Sequence, residues 1–472
     1  MPDIGDDLVR RLPHHQAMTW ANKIAFFLIA VIIVFTTAAY GTVHQPILAA
    51  FYILVVVTTL LWAADGFLTG AVRFNSDPLQ LTLLAAGIYG FIQILPFGRF
   101  AEIAGVSSIS RTISLDPFAT EVSAAHFIAL FFLMAVLLVL LDSATRIWRL
   151  GTIITIFGFI YAFFAILQSV LSPLKIYGIY EALSPFGSFV NRHNFAAYME
   201  MVLAVPLGLI FTGAISKDKR LLYITAVALM GVSLLLSGSR GGLIAFLAEV
   251  IFLVLLTTGT KSRSNLALKL SLAVLLFVAV VGGAIFVGGE TSLTRVAETA
   301  ATGDLTTGRS NIWSVTLDVI KANLPFGAGL GAFGVAYTPH DSMSGLERVE
   351  QAHNDYLQVL ADAGLVGLLI GGFFLYRIFV SGRAATKIRN TYRRGIAYGA
   401  LAGIFAILVH SIFDFVLHTT AVSVMFLVLI SLLIACRSSY ADDVEDPPHE
   451  GSARNLSGRI ASISSGRRRS RS

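Results

Sequence analysis

The stretch "VEQAHNDYLQVLADAGLVGLL", residues 349–369, begins with an acid, a histidine, an amide and a second acid, and turns apolar within a dozen residues. Polar groups set at the mouth of such a run suit a helix that leaves water for lipid. What His353, Asn354 and Asp355 do there depends on which side of the membrane they face, and on what else faces it.

The rest of the chain has the same character. Of 472 residues, 56% are hydrophobic and only 13% charged, against about a quarter charged in a soluble domain. A soluble class is excluded, and most of the length must be solvated by lipid or by its own neighbours. A spanning helix needs ~20 mostly apolar residues. Twelve such runs fall at 22–40, 46–64, 78–97, 124–141, 150–171, 194–214, 221–237, 241–259, 266–287, 364–381, 395–415 and 419–436. Arg10 and Arg11 precede the first run without a clear small-residue cleavage site, so the run reads as a span and not as a cleavable signal. The single cysteine, Cys436, cannot form an internal disulfide. No internal repeat and no Cys/His spacing of a zinc site is present. The polar end of the chain closes with "SGRRRSRS". It reads as a disordered, solvated tail, with contact to anionic lipid headgroups as the other reading; no nucleic-acid partner is expected.

Lys and Arg in short loops mark the cytoplasm. From a cytoplasmic start, the loops on that side carry Arg73, Arg146, Arg149, Lys217, Lys219, Arg220, Lys261 and Arg263, then Arg383, Lys387, Arg389, Arg393 and Arg394. The other side is poorer in cations for its length. The expected architecture is therefore an all-α polytopic membrane protein with about twelve transmembrane helices. Residues 1–21 form a cytoplasmic tail, 22–287 hold spans one to nine, 288–363 a long external loop, 364–436 spans ten to twelve, and 437–472 a basic cytoplasmic tail. Long connections are functional or disordered. This one contains "SNIWSVTLDVIKANL", residues 310–324, with the period of an amphipathic helix, so a small helical cap on the external face is expected.

The cations that break the charge rule gather on that external face. Arg240 stands in the glycine turn "SGSRGG" at 237–242, Arg192 and His193 open the sixth span, and Arg309 opens the amphipathic helix. Each arginine alone reads as a side chain snorkelling to the headgroups. Taken together, they suit anion binding, because helix starts and backbone N–H groups attract negative charge and guanidinium pairs bidentately with phosphate.

The glycines of "LPFGAGLGAFG", 324–334, follow no strand and precede no P-loop lysine, so tight turns are their main reading, with a backbone contact to substrate as the other. His353 is a base, a donor to phosphate, or a structural histidine. Asp355, two residues on, would point away from it on a helix, so a His353–Asp355 pair requires a non-helical turn. Glu249, nine residues past Arg240, points the opposite way on a continuous helix; it is functional or paired with another helix. Asp414 either orients an arginine or is solvated at its turn.

The order "SGSRGG", "TGRSNIW" (307–313), "GAGLGAFG" (327–334) and "AHNDYLQVLADAGLVG" (352–367) resembles the O-antigen ligase and O-antigen polymerase superfamily of bacterial membrane glycosyltransferases. "FGSFVNRHNFAAYM" (186–199) and "HSIFDF" (410–415) sit where that family has similar segments, so the resemblance covers about 186–415. It implies the fold of lipid-donor glycosyltransferases and a polyprenyl-diphosphate-linked glycan donor. It further implies inversion at the sugar carbon, the periplasmic face of a bacterial inner membrane, and a glycan or lipid acceptor. By motif, the essential arginines fall on Arg240 and Arg309 and the histidine on His353, all expected to be catalytic. Arg192, His193, Asn354 and Asp414 are expected to bind substrate. The physical reading agrees: a leaving diphosphate gains negative charge, which fixed cations stabilise without a metal, while His353 takes the proton of the attacking hydroxyl. No cofactor or metal is expected. The rival is a transporter or flippase of lipid-linked glycans, which would line a path with intramembrane charge.

Overall fold

A computed structural model describes residues 18–99, 110–258, 309–341 and 348–437, with the isolated helical positions 274, 278 and 282. Among the described residues, nine helices are long and apolar enough to cross a membrane. They are α1 (Trp20–Ala38), α2 (Gln45–Thr69), α4 (Pro117–Leu140), α5 (Ala144–Leu171), α6 (Arg192–Phe211), α7 (Lys217–Leu236), α8 (Arg240–Thr258), α11 (Asp355–Ala385) and α12 (Thr391–His410). The apolar helices α3 (Gln80–Gln93) and α13 (Thr420–Ala435) are shorter. The protein is an all-helical, multi-pass membrane protein. Its only described strands form two short hairpins, β1 (Gly98–Arg99) with β2 (Ser110–Arg111) and β3 (Lys175–Ile176) with β4 (Tyr180–Glu181). Eleven of the twelve apolar runs coincide with helices; the run at 266–287 lies outside the described residues but for its three isolated positions.

Side-chain caps start several of these helices. Thr19, Asp116, Asn191 and Asn390 each accept a backbone N–H from the first turn of α1, α4, α6 and α12, satisfying donors that a helix start otherwise leaves open. Buried from end to end, α6 and α13 form the centre. α6 crosses α12 at glycines: a Cβ on Gly208 would lie 2.4 Å from the Gly395 carbonyl oxygen and the Gly399 nitrogen. Small residues that let backbones touch replace the hydrophobic drive that lipid cannot supply between helices. On the outside, α2 presents Ile53, Val56, Leu60 and Phe67, as a lipid-facing helix would.

One end of the bundle is tied by ion pairs. Asp65 accepts from Thr19, Asn22 and Arg73 at 2.6–2.8 Å, and Arg73 and Arg146 share Asp142. Asp77 pairs with Arg377 and Arg437, both at 3.6 Å. The starts of α6, α8 and α11 and the end of α12 lie at the other end, where the polar motifs gather.

Two departures from the sequence reading matter there. The helix of the tenth apolar run, α11, begins at Asp355, not at 364, and breaks at Gly364 (φ 56°, ψ −143°). The break is built in, because Gly364 lies against Pro325, whose oxygen accepts the Leu365 N–H at 2.9 Å; a Cβ would come within 2.2 Å of that oxygen. The helix of the eleventh apolar run, α12, ends at His410, five residues short of the run's end at 415. The carbonyls of Ile412 and Phe413 turn away to accept from Asn354 and Arg309, which keeps 411–415 out of the helix.

The amphipathic helix is observed as α9 (Arg309–Asn323), one residue earlier than its sequence period suggests, followed by the short α10 (Phe333–Tyr337). Val315, Val319, Phe333, Tyr337 and Ala361 form a second small core where these helices meet the first half of α11. The glycine-rich connection straps them to that half-helix. Ala328 and Gly329 donate to the carbonyls of Ala361 and Asp362, and Gly331 to the Asp362 carboxylate. Gly327 has a positive φ of 78°, and a Cβ there would strike the Asp362 carbonyl oxygen at 2.4 Å. These glycines make tight turns.

Candidate functional site

Four segments line the pocket at the centre of the site. Asn191 caps α6 and so fixes Arg192 and His193 as its first two residues. The turn from α7 to α8 delivers Gly238, Arg240 and Gly241, and the start of α9 delivers Arg309. These residues, with Ile244 and Phe413, line one pocket of about 190 Å³. Three arginines from three helix starts thus face a common space, as N-terminal dipoles and guanidinium groups would for an anion. The starts of α6 and α8 are stitched together by Ser239, whose hydroxyl meets His193 Nδ1 at 2.9 Å and accepts the Gly242 N–H at 3.1 Å. Among the described residues Arg240 has no ion-pair partner, which leaves its charge to the pocket.

Asp414 organises the other side. Its carboxylate takes Arg309 Nη2 at 3.0 Å and His353 Nδ1 at 3.1 Å, and its backbone neighbour Phe415 donates to it at 2.9 Å. His193 Nδ1 stands 3.9 Å away. Only 2% of the Asp414 side chain is exposed, which settles the choice between an orienting and a solvated acid. Burial alone would raise its carboxyl. The hydrogen bond from His353 and the charges of Arg309 and His193 outweigh burial and hold it well below the usual carboxylate range.

His353 is the last residue before the α11 cap and sits at φ 49°, left-handed backbone that few non-glycine residues adopt. Asn354 holds it there: its Oδ1 accepts the N–H groups of Tyr356 and Leu357, both at 3.0 Å, and its Nδ2 donates to the Ile412 carbonyl. Both ends of that amide are occupied, and Asn354 does not line the pocket. Because the Asp414 carboxylate only accepts, His353 Nδ1 carries a proton in this bond, so in the neutral ring the lone pair lies on Nε2. The ring also packs edge-on against Phe415, with centroids 4.8 Å apart.

The acid that pairs with His353 is therefore Asp414 and not Asp355. Asp355, pointing the other way as its helical position requires, takes Ser411 Oγ at 2.8 Å and His418 Nδ1 at 3.2 Å. Among the described residues Glu249 has no hydrogen-bond partner at either carboxyl oxygen, and it is fully buried. Sequence reasoning misses Ser239, His418 and Glu200. The last was visible as an acid inside an apolar run, a signal that normally marks function. Among the described residues no three His, Cys, Asp or Glu side chains are grouped as a metal site.

A multi-pass helical membrane protein with a cationic pocket at helix starts is the class that fold and site define. Residues 225–371 match the model of a family described as O-antigen ligase, so the resemblance carried by the motifs is borne out over that segment. The match takes in Arg240, Arg309, His353 and Asn354, and leaves Arg192, His193 and Asp414 outside it. No curated protein matches the chain.

Proposed function

We propose that the protein is a glycosyltransferase that moves a glycan from a polyprenyl-diphosphate donor to the hydroxyl of a second glycan or a lipid core sugar. The observation that carries this is the convergence of Arg192, Arg240 and Arg309 on one small pocket whose edge shares Asp414 with His353. A space of about 190 Å³ is below the ~300–1,000 Å³ of a site that encloses a drug-sized ligand. It suits a diphosphate head, with polyprenyl chain and glycan leading away. The match of 225–371 to the O-antigen ligase family supports the same reaction class.

In this reading Arg240 and Arg309 hold the diphosphate, and Arg192 and His193 complete its surroundings. His353 Nε2 takes the proton of the acceptor hydroxyl as its oxygen attacks the anomeric carbon. The bond from that carbon to the phosphate oxygen breaks on the opposite side, so the sugar inverts, and the electron pair leaves with the diphosphate. Asp414 keeps the imidazole in its Nδ1–H tautomer and stabilises the imidazolium that forms. The guanidinium groups supply the charge that a metal would otherwise bring, so transfer is metal-independent. The pocket faces the periplasm of a bacterial inner membrane, since the cation-rich loops lie at the opposite end of the bundle. The second small core forms an external cap beside the pocket.

One observation favours a second reading, a transporter of lipid-linked glycans: the buried charge of Glu200, His410 and Glu249 inside α6, α12 and α8. Purified protein given a polyprenyl-diphosphate glycan and an acceptor separates the two. Transfer yields equal amounts of polyprenyl diphosphate and elongated acceptor in the presence of chelator. Movement of intact donor across a vesicle membrane, with no bond broken, supports the transporter instead.

A further inference from the structure

A histidine and a glutamate that this chemistry does not use stand directly behind the pocket. Glu200 in α6 and His410, the last residue of α12, are both fully buried, and His410 Nδ1 meets the two carboxyl oxygens at 3.1 and 3.3 Å. Taking two ionisable groups into an apolar bundle costs about several kcal/mol per ion before their pairing offsets it, so such a pair inside a span marks function by default.

The other edge of the imidazole points to the role. His410 Nε2 is enclosed and has no hydrogen-bond partner among the described residues. It lies against Gly241, where a Cβ would come within 2.9 Å of the ring's Cδ2 and 3.0 Å of Nε2. Gly241 follows Arg240 and, with Phe413, belongs to the pocket wall. The imidazole is therefore one residue's thickness behind the arginines, and only glycine leaves it that room.

Glu200 can only accept when ionised, so Nδ1 carries a proton toward it. A neutral ring would then present a lone pair at Nε2 toward the wall of an anion site, whereas an imidazolium presents an N–H. The other acids nearest His410 are engaged elsewhere, Asp414 by Arg309 and His353, and Asp355 by Ser411 and His418. Glu249 of α8 interacts electrostatically with Glu200, and the charged and titratable groups of the pocket facing this region are Arg192, His193, Arg240 and Arg309. Glu200 is therefore the acid paired with His410.

We propose that Glu200 holds His410 as an imidazolium whose charge acts through the gap at Gly241 on the leaving diphosphate, making the pair a positioning device for the charge that grows in the reaction. This rests on the glycosyltransferase reading. No proton leaves the pair. The donor carries one negative charge on each phosphate and the departing diphosphate gains one more, so a fixed cation shielded from water favours the transition state and product over the ground state.

The test compares purified wild type with the neutral pair Glu200→Gln/His410→Gln, at equal membrane abundance. Readouts are kcat, donor KM, and inhibition by polyprenyl diphosphate against polyprenyl monophosphate. The expected result is a fall in kcat on the order of 10-fold with KM within about twofold, and a similar fall in the preference for diphosphate over monophosphate. A merely structural pair would alter abundance and leave that preference where it was. Unchanged kcat and preference in the variant overturn the proposal while leaving the glycosyltransferase reading intact. A wild type that neither transfers glycan nor binds polyprenyl diphosphate overturns both. Should the double variant fail to accumulate, His410→Gln alone is read by the same measures.

Discussion

His353 and Asp414, 61 residues apart in the chain, meet at 3.1 Å, and the same carboxylate receives Arg309 from 105 residues away. One buried acid thus couples the group proposed to accept a proton to a group proposed to hold the diphosphate. Asp414→Asn keeps the shape and removes the charge on which both depend. Transfer by the purified variant should fall by ~10²-fold or more, with donor KM raised because Arg309 also loses its anchor. A loss below about threefold, at normal abundance, would show that the coupling is idle.

The same acid sets a pH dependence for stability. Its folded value lies below the ordinary carboxylate value of ~3.9. The stability it contributes is therefore complete above that value and is lost only as pH falls through the lower folded one. The advantage in thermal midpoint of wild type over Asp414→Asn should persist from about pH 8 to pH 5 and shrink below about pH 4. A difference that instead disappears between pH 8 and pH 6 would assign the effect to a histidine.

Gly364 marks the break that hands α11 from the small core to the bundle, and its backbone is one that side chains avoid. Gly364→Ala should cost about 1–3 kcal/mol through strain and the clash with Pro325. The measurable outcome is a lower thermal midpoint and reduced membrane abundance. An unchanged midpoint would mean that the strap at 325–331 shifts freely.

Orientation is tested by labelling. In a Cys436→Ser background, Ser310→Cys in α9 and Thr386→Cys after α11 are both exposed positions. A membrane-impermeant thiol reagent added to intact spheroplasts should label the first and not the second. The reverse pattern would turn the pocket to the cytoplasm and remove the periplasmic reading.

Local features of the site were legible because they depend on near neighbours. The amphipathic period placed α9 within one residue, and the spacing from His353 to Asp355 excluded that pair on a helix. Asn354 stands at a helix start, where an amide caps. The remainder depends on long-range closure. Asp414 looked ambiguous because no periodicity reveals that the chain leaves α12 at His410 and turns its carbonyls toward Arg309 and Asn354. Glu200 and His410 are 210 residues apart, and nothing local in either helix names the other. Gly241 read as a turn residue, whereas the structure shows it also making room for an imidazole.

The most direct test measures glycan transfer and donor binding on one preparation of His353→Ala, compared with wild type. The geometry predicts donor binding within about threefold of wild type and transfer reduced by ~10²–10⁴-fold, since the diphosphate is held by arginines while the base is missing. Near-normal transfer by His353→Ala at normal membrane abundance would contradict the account and leave His353 as a structural residue at a helix start.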